Sequence, residues 1–550
     1  MSDKHFLHDP TQLVDASLWA TILNNPSLAL DSANKIIYRR QRGSQGSHVS
    51  LVSGGGSGHE PSFGAMVGKG LLTASVAGTI FASPATQQIL SAIIGRVDNS
   101  QGVLVIVMNY TGDVLNFGVA VEKARSRGIN VDMVVVGDDV GVGRAKAGKV
   151  GRRGIAGTVL VQKIAGALAE QGGSLQEVAS VARLAAENIA SVGASLEHVH
   201  VPGRQATDGA SHGSGASGDQ EVELGMGIHN EPGSGTEKVS FPTLVSNMLQ
   251  QLLDPNDEDR SFLKIDSEVV LLVNNLGGVS PLEMGGITAE VVEQLEGTYN
   301  INPVRILTGT FMTSLNGLGF SITLLNLSTG NKQGLDLLKL LDSHAEATGW
   351  AAPIMPETWA LARTVTSDMH EVEDNLVKPS GLRYDAVRAR KALTAGLDSI
   401  IAAEPEITRF DTIVGDGDCG TGMRRGAEAV LDGINQRPLT GDAVLDVATI
   451  LSKVEASMDG TSGALHTIFL NALLSYLANH GPGVVDTKTW AQALKHSSAA
   501  LSKYTPARVG DRTLIDALEP FIQALARLED VRTAAKASRR GAELTKGMKA

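Results

Sequence analysis

The sequence predicts a multidomain protein: an α/β region over residues 1–335, a linker over 336–380, and an all-α helical bundle or barrel over 381–550. Three observations carry this. The first part holds short, nearly continuous apolar runs rich in β-branched residues, the pattern of strands covered on both faces. Amphipathic stretches lie between those runs, which is the βαβ rhythm. After about residue 383 the apolar period becomes 3.6 and no persuasive strand follows. At about 150 residues per domain, 550 residues allow three to four units or fewer, larger ones.

In order along the chain, strands are predicted at HVSLVS (48–53), GVLVIVM (102–108), NVDMVVV (130–136), EVVLLVN (268–274) and SITLLNL (321–327). ATQQILSAIIGRV follows Pro84, and a proline suits a helix start. VLNFGVAVEKARSRG ends in basic residues and glycine, a usual helix stop. Residues 203–221 are small, polar and Gly/Ser-rich, and read as a flexible surface loop. The 336–380 stretch, with PIMPETW and KPSG, reads as a linker with some helix. In the second part VRARKALTAGLDSIIAA, TGDAVLDVATILSKVEA and TWAQALKHSSAALSKY are helix candidates. Leu465, Ile468, Phe469, Leu473, Tyr476 and Leu477 fall on one helical stripe, giving a bundle of six to eight helices.

Composition sets the class. Hydrophobic residues make up 42% of the chain and charged residues 19%, which excludes wholesale disorder. The formal charge is −12 and aromatics are 4%, so neither the basic face nor the stacking residues of a nucleic-acid binder are present. No apolar run reaches the ~18 residues that span a bilayer. The start, MSDKHFLHDP, lacks a secretory pattern. Cys419 is the one cysteine, which excludes an internal disulfide and a multi-Cys zinc site. A soluble, cytoplasmic enzyme without membrane or nucleic-acid partners is expected.

Three segments of the first part carry chemistry. In LVSGGGSGHEPSFG (51–64) a strand runs into Gly54, Gly55, Gly56, Ser57, Gly58 and His59. Glycines in series let backbone N–H groups approach a small polar ligand. No GK[ST] follows, so this is not a Walker loop, and a plain tight turn is the alternative. In NYTGD (109–113) Asp113 lies at a strand's carboxyl end, where ligands of open α/β sheets gather; a helix N-cap is the alternative. In GMGIHNEPG (225–233) His229 sits among glycines and proline. A neutral imidazole is both a nucleophile and a base tunable near pH 7, although a lone histidine is more often structural.

In the second part, FDTIVGDGDCGTGM (410–423) gathers Asp411, Asp416 and Asp418 around glycines. Oxygen-only donors suit a hard ion such as Mg²⁺. Asp416 and Asp418 point to one side of an extended segment, and Asp411 joins them if the chain turns at Gly415. An acidic turn without an ion is the alternative, but three close carboxylates repel one another unless a cation balances them. DGTSGALHTIF (459–469) places Thr461, Ser462 and Gly463 at a helix N-terminus, a phosphate cradle or simply a capped start.

Taken together, GGGSGHEPSF, FASPATQQI, NYTGDVLNFG, GRRGIAGTVLVQKIAGA, HVHVPGR and GMGIHNEPG resemble the dihydroxyacetone kinase family, in its single-chain, ATP-dependent, fungal-type form. The resemblance runs in order over nearly the whole chain. It implies a substrate region of two α/β subdomains and a nucleotide domain. It implies that His229 adds to the substrate carbonyl as a hemiaminal, which admits ketones and aldehydes and excludes alcohols such as glycerol. Gly56, Ser57, Gly58 and His59 would hold the substrate hydroxyls, with Asp113 as base and His59 assisting. Asp411, Asp416 and Asp418 would hold Mg²⁺ on ATP phosphates. Cys419, Gly420, Thr421, Gly422, Thr461, Ser462, Gly463, Arg512 and Thr513 would lie along the nucleotide, and Cys419 has no nucleophilic role.

The implied reaction phosphorylates dihydroxyacetone, and glyceraldehyde to its 3-phosphate, in a homodimer with swapped domains. The alternatives are a kinase for a four-carbon ketose such as erythrulose and a non-catalytic carbonyl-binding or regulatory protein. An FMN cyclase side activity is known in animal members. The chain departs from the family at Met108, where bacterial members often carry a substrate-contacting lysine, and at Ala550, where members often continue into a nucleotide-enclosing tail.

Overall fold

The computed structural model describes residues 5–40, 47–143, 151–203, 220–257, 259–265, 268–365 and 377–548. The chain divides into two compact units, Met1–Thr364 and Val365–Ala550. The first mixes helices and strands; among the described residues the second is helical apart from two strands of two residues each, Leu382–Arg383 and Gly483–Val484.

Among the described residues, two six-stranded sheets build the first unit. The first contains β1 (Leu28–Asp31), β2 (Ile36–Arg39), β3 (Ser50–Ser57), β4 (Ala74–Ile80), β5 (Val103–Met108) and β6 (Val131–Val136), in the order β1-β2-β4-β3-β5-β6. Strands β4, β3, β5 and β6 are parallel, and β1–β2 is an antiparallel hairpin on the edge. Strand β5 shows why the sequence alternates so little. Val103, Val105 and Val107 face the helices Thr86–Gly95 and Thr111–Arg125, while Leu104, Ile106 and Met108 face the helices Thr158–Glu170 and Leu175–Glu187. Both faces are dry, so both parities must be apolar.

The second sheet contains β7 (Ile189–Ser195), β8 (Gln220–Leu224), β9 (Gly235–Val239), β10 (Val269–Asn275), β11 (Arg305–Gly309) and β12 (Gly319–Asn326), in the order β11-β10-β12-β7-β8-β9. The helix pair 158–187 packs on this sheet too, through Val270, Leu272 and Leu325, so it lies between the two sheets. That position explains why nearly every residue of Thr158–Glu170 is buried: a helix walled on both sides is apolar all round. The helices Phe241–Leu253 and Pro281–Tyr299 cover the sheet's other face.

The βαβ rhythm expected through residue 330 does not hold here. Only β10–β11 is parallel; β12 runs antiparallel to both β10 and β7. A strand buried on both faces reads as an apolar run whichever way its neighbours point. The expected loop over 203–221 lies mostly outside the described residues, and its last two residues belong to β8. Within the expected linker, Leu337, Leu340, Leu341 and Ala347 are buried in the first unit's core, and Lys163 Nζ donates to Leu340 O at 3.0 Å. Those residues are core because four apolar side chains there repay the ordering of the segment.

In the second unit seven helices follow one another among the described residues, from Ala386–Val414 to Val531–Leu544, each packing on the next. The helix Gly460–Ala478 carries the predicted stripe: Leu473 and Leu477 are buried, and Leu465, Ile468, Phe469 and Tyr476 are half-buried.

Candidate functional site

The glycine segment is strand for most of its length, since β3 continues through Gly54, Gly55 and Gly56 to Ser57. Glycine is required there by close backbone approach. A Cβ on Gly54, whose φ is +154°, would stand 2.1 Å from Val76 O, and one on Gly56 would stand 2.7 Å from Ala82 N. Gly58, with φ +105°, lies under the Phe81 ring. Ser57 Oγ donates to Gly78 O at 2.9 Å, and the Gly58 N–H donates to Glu60 Oε2 at 2.9 Å. The chain then delivers His59 into a fully buried position.

Residues 311–315, after β11, bind both histidine segments. The Leu315 N–H donates to Gly58 O, Thr313 O faces His59 Nδ1 at 2.8 Å, and Ser314 Oγ donates to Ile228 O at 2.6 Å. His59 Nε2 and His229 Nε2 meet at 2.9 Å, although 170 residues separate them in sequence. Phe81 stacks on His59 with centroids 5.2 Å apart, and the Phe81 and Tyr110 rings meet His229 edge to face at 5.2 and 4.6 Å. On the other side, His229 Nδ1 lies 2.9 Å from Glu231 Oε1, and the His229 backbone N–H donates to Glu231 Oε2 at 3.0 Å.

Asp113 is the third residue of the helix Thr111–Arg125, directly after β5; Tyr110 holds the N-cap position. Asp113 is 4% exposed and does not hold the cap position, and its Oδ1 has no hydrogen-bond partner among the described residues. Met108, at the end of β5, is 1% exposed in the core beside Ile155 and Val136, so its side chain is packing.

Burial, reinforced by the neighbouring His229 ring, pushes the His59 pKa down to about 3, so this imidazole is neutral at pH 7. Burial raises the Asp113 pKa, only partly offset by the Ser83 hydroxyl and by His229. Burial would raise Glu231 as well, but the bonds from the His229 ring and backbone outweigh it and hold the carboxylate at about 2. A neutral base, a carboxyl with raised affinity for a proton and a fixed anion thus surround one imidazole.

The second unit assembles the acid cluster. Asp411 is in the last turn of the helix Ala386–Val414, Asp416 is in the turn after Gly415, and Asp418 holds the N-cap position of the helix Cys419–Gln436 without a side-chain capping bond. Their oxygens lie within 4.8 Å of one another. Asp411 Oδ2 accepts from the Cys419 N–H at 3.0 Å, which ties the turn shut. Asp416 foremost, then burial and Asp411, raise the Asp418 pKa. Such mutual repulsion among oxygen-only donors fits a divalent hard cation.

Cys419 Sγ lies 3.3 Å from Ser462 Oγ, which brings the Thr461, Ser462 and Gly463 helix start beside the acids. Thr421 is exposed, whereas Gly420 and Gly422 are buried. A Cβ on Gly420 would meet Thr408 Oγ1 at 2.2 Å. Arg512 and Thr513 precede the helix Ile515–Leu528. Their bonds go to Met548 O and Asp516, and none reaches the acid cluster. The sequence reading missed Glu231, Phe81, Tyr110 and Thr313. Glu231 was within reach of it, two residues beyond the chosen histidine; the others are joined to the site only by tertiary structure.

Comparison with known proteins places both units. The Dak1 domain model matches residues 20–349, and the DAK2 domain model matches residues 413–550. Dihydroxyacetone kinase 2 of Saccharomyces cerevisiae is 44% identical over 564 residues, covering 100% of this chain and 93% of that protein. The dihydroxyacetone kinase of Komagataella pastoris is 43% identical over 571 residues, covering 100% and 92%. The crystal structure of the dihydroxyacetone kinase from C. freundii in complex with AMP-PNP and Mg²⁺ superposes with a TM-score of 0.71 at 33% identity, over 100% of this chain and 95% of that one. With both domains matched and relatives of this identity spanning it from end to end, the chain belongs to the dihydroxyacetone kinase family.

Proposed function

We propose that the chain phosphorylates dihydroxyacetone with ATP, and accepts glyceraldehyde, in the cytoplasm. The observation that carries this is the contact of buried His59 with half-buried His229 at 2.9 Å, with Asp113 close enough to feel the His229 charge. His229 takes the carbonyl carbon as a hemiaminal. Gly56, Ser57, Gly58 and His59 surround the hydroxyls. Asp113 Oδ1, buried and unpartnered among the described residues, accepts the proton of the hydroxyl being phosphorylated. The carbonyl requirement separates the substrate from glycerol, which hydrogen bonds alone discriminate weakly.

Asp411, Asp416 and Asp418 would hold Mg²⁺, which supplies charge neutralisation on the nucleotide phosphates. Thr461, Ser462 and Gly463 offer N–H groups and hydroxyls at a helix N-terminus beside those acids. Cys419, Gly420, Thr421 and Gly422 continue the same surface, with Arg512 and Thr513 farther along. A closed helical barrel for the second unit, two subdomains for the first, and a homodimer with swapped second units complete the proposal.

A coupled ATP-consumption assay with dihydroxyacetone, glyceraldehyde and erythrulose tests it. Dihydroxyacetone should turn over fastest and glycerol not at all, and His229→Ala should abolish turnover. Full turnover in that variant would overturn the role of His229.

A further inference from the structure

The contacts around the two histidines fix where protons sit. His59 Nδ1 faces a backbone carbonyl, Thr313 O, and His229 Nδ1 faces the Glu231 carboxylate. Both oxygens only accept, so both Nδ1 atoms carry hydrogen. The two Nε2 atoms, 2.9 Å apart, then hold one proton between them. The pair carries one positive charge, and Glu231 lies against it as a carboxylate.

Glu231 is built to stay there. Asn230 adopts a left-handed φ of 64°, which curls the chain so that the carboxylate meets both the backbone N–H and the ring of His229. The Asn230 amide is pinned by two bonds of 2.9 Å to the Val199 backbone. Arg153 donates to Gly225 O at 2.6 Å, is held by Asp139 at 2.7 Å, and contributes a charge that Glu231 feels.

We propose that Glu231 is the positioning residue of carbonyl capture: it fixes the His229 tautomer with Nε2 toward the substrate and stays as the counter-charge of the adduct. This deepens the hemiaminal reading and rests on it. As the shared proton shifts to His59 Nε2, the freed His229 Nε2 lone pair forms the bond to carbon while the carbonyl π pair moves to oxygen; the His59 Nε2–H bond then breaks as its proton passes to that oxygen, leaving His59 neutral. The positive charge remains, now on the alkylated His229 ring, whose Nδ1–H still donates to Glu231. Atoms and charge balance, and the site's net charge does not change during capture. Without the carboxylate, the adduct is a half-buried cation facing no fixed anion at its Nδ1 edge.

The other charged or titratable groups around His229 are His59 and Tyr110 against its ring, Asp113 from the helix after β5, and the Arg153–Asp139 pair beyond Glu231. Their responses are common to the wild type and a Glu231 variant, so the difference between the two reports Glu231.

The test uses the full-length protein with dihydroxyacetone ¹³C-labelled at C2, whose resonance moves from the carbonyl to the tetrahedral region on capture. Glu231→Gln preserves shape and a hydrogen-bond acceptor but removes the charge. Its adduct should fall about tenfold or more at neutral pH and recover as the pH is lowered, because losing a nearby anion lowers a cation's affinity for its proton. KM should rise more than kcat falls. Glu231→Asp keeps the charge and should retain the wild-type pH profile at reduced amplitude. A wild-type adduct level in Glu231→Gln, or a reduced level with an unshifted pH profile, overturns the inference. Should Glu231→Gln fail to fold by circular dichroism, the Glu231→Asp profile decides: unshifted supports it, displaced overturns it. No adduct in the wild type, or an undiminished adduct in His229→Ala, instead overturns the hemiaminal reading beneath it.

Discussion

Asp113 shows how one buried carboxylate ties catalysis to stability. Burial raises its pKa, so the folded protein holds its proton more tightly than the unfolded chain does. A group shifted this way contributes stability that is full below its unfolded pKa and is lost as pH rises through the folded one. Ionised Asp113 at pH 7 is therefore a cost to the fold, and the same ionised form is the one that can act as base. Asp113→Asn should lower kcat by about 10²–10⁴-fold, the usual worth of a positioned general base, while leaving the His229 adduct in place. It should also raise Tm at pH 7, with the gain vanishing near about pH 4. Wild-type kcat should fall on the acid side at a pH above the ordinary carboxylate range, and the variant should lack that limb. A rate profile unchanged by the substitution would remove Asp113 from the chemistry.

At the scale of elements, the acid turn joins two helices and gathers three carboxylates that are proposed to hold a cation. Asp411 closes the turn by accepting from the Cys419 N–H while its neighbours repel one another. Mg²⁺ should raise Tm of the wild type as a ligand that binds only the folded state. Asp416→Asn with Asp418→Asn should abolish that rise, and thermal scans over a Mg²⁺ series will read it. Because its neighbours raise the Asp418 pKa, protons should compete with Mg²⁺ at a higher pH than for an isolated aspartate. Gly420 belongs to the same junction but acts by size. A methyl there would stand 2.7 Å from Glu404 O and 2.2 Å from Thr408 Oγ1, so Gly420→Ala should cost about 1–3 kcal/mol by overpacking, measurable by urea unfolding. The acid turn was legible in the sequence because its three carboxylates lie within eight residues. So were β5 and the helix Thr111–Arg125, whose apolar runs and stop signals are local. The second sheet's direction was not, because a doubly buried β12 looks alike in parallel and antiparallel company. Nor was the Phe81–Tyr110 ring pair around His229, since that contact exists only once both sheets are built.

At the scale of the molecule, the proposed substrate residues and the acid cluster belong to different units, divided at Thr364. Phosphoryl transfer requires them to be brought together, and the proposed swapped dimer does so by pairing one chain's first unit with its partner's second. That arrangement makes a prediction no single-chain arrangement shares. His229→Ala should destroy only the first unit's site, and the double variant Asp416→Asn with Asp418→Asn only the second's. Each variant should be inactive alone. Co-expressed in equal amounts, about half of the dimers are mixed. In a swapped mixed dimer, one site joins the intact first unit to the intact second unit and the other joins the two damaged ones. About a quarter of wild-type activity should therefore return. If each chain pairs its own two sites, every site in a mixed dimer keeps one damaged half and nothing returns. The coupled assay on the mixture, with each variant alone as baseline, measures the difference directly. Recovery that grows as the two chains are dissociated and reassembled together would tie the activity to exchange between copies.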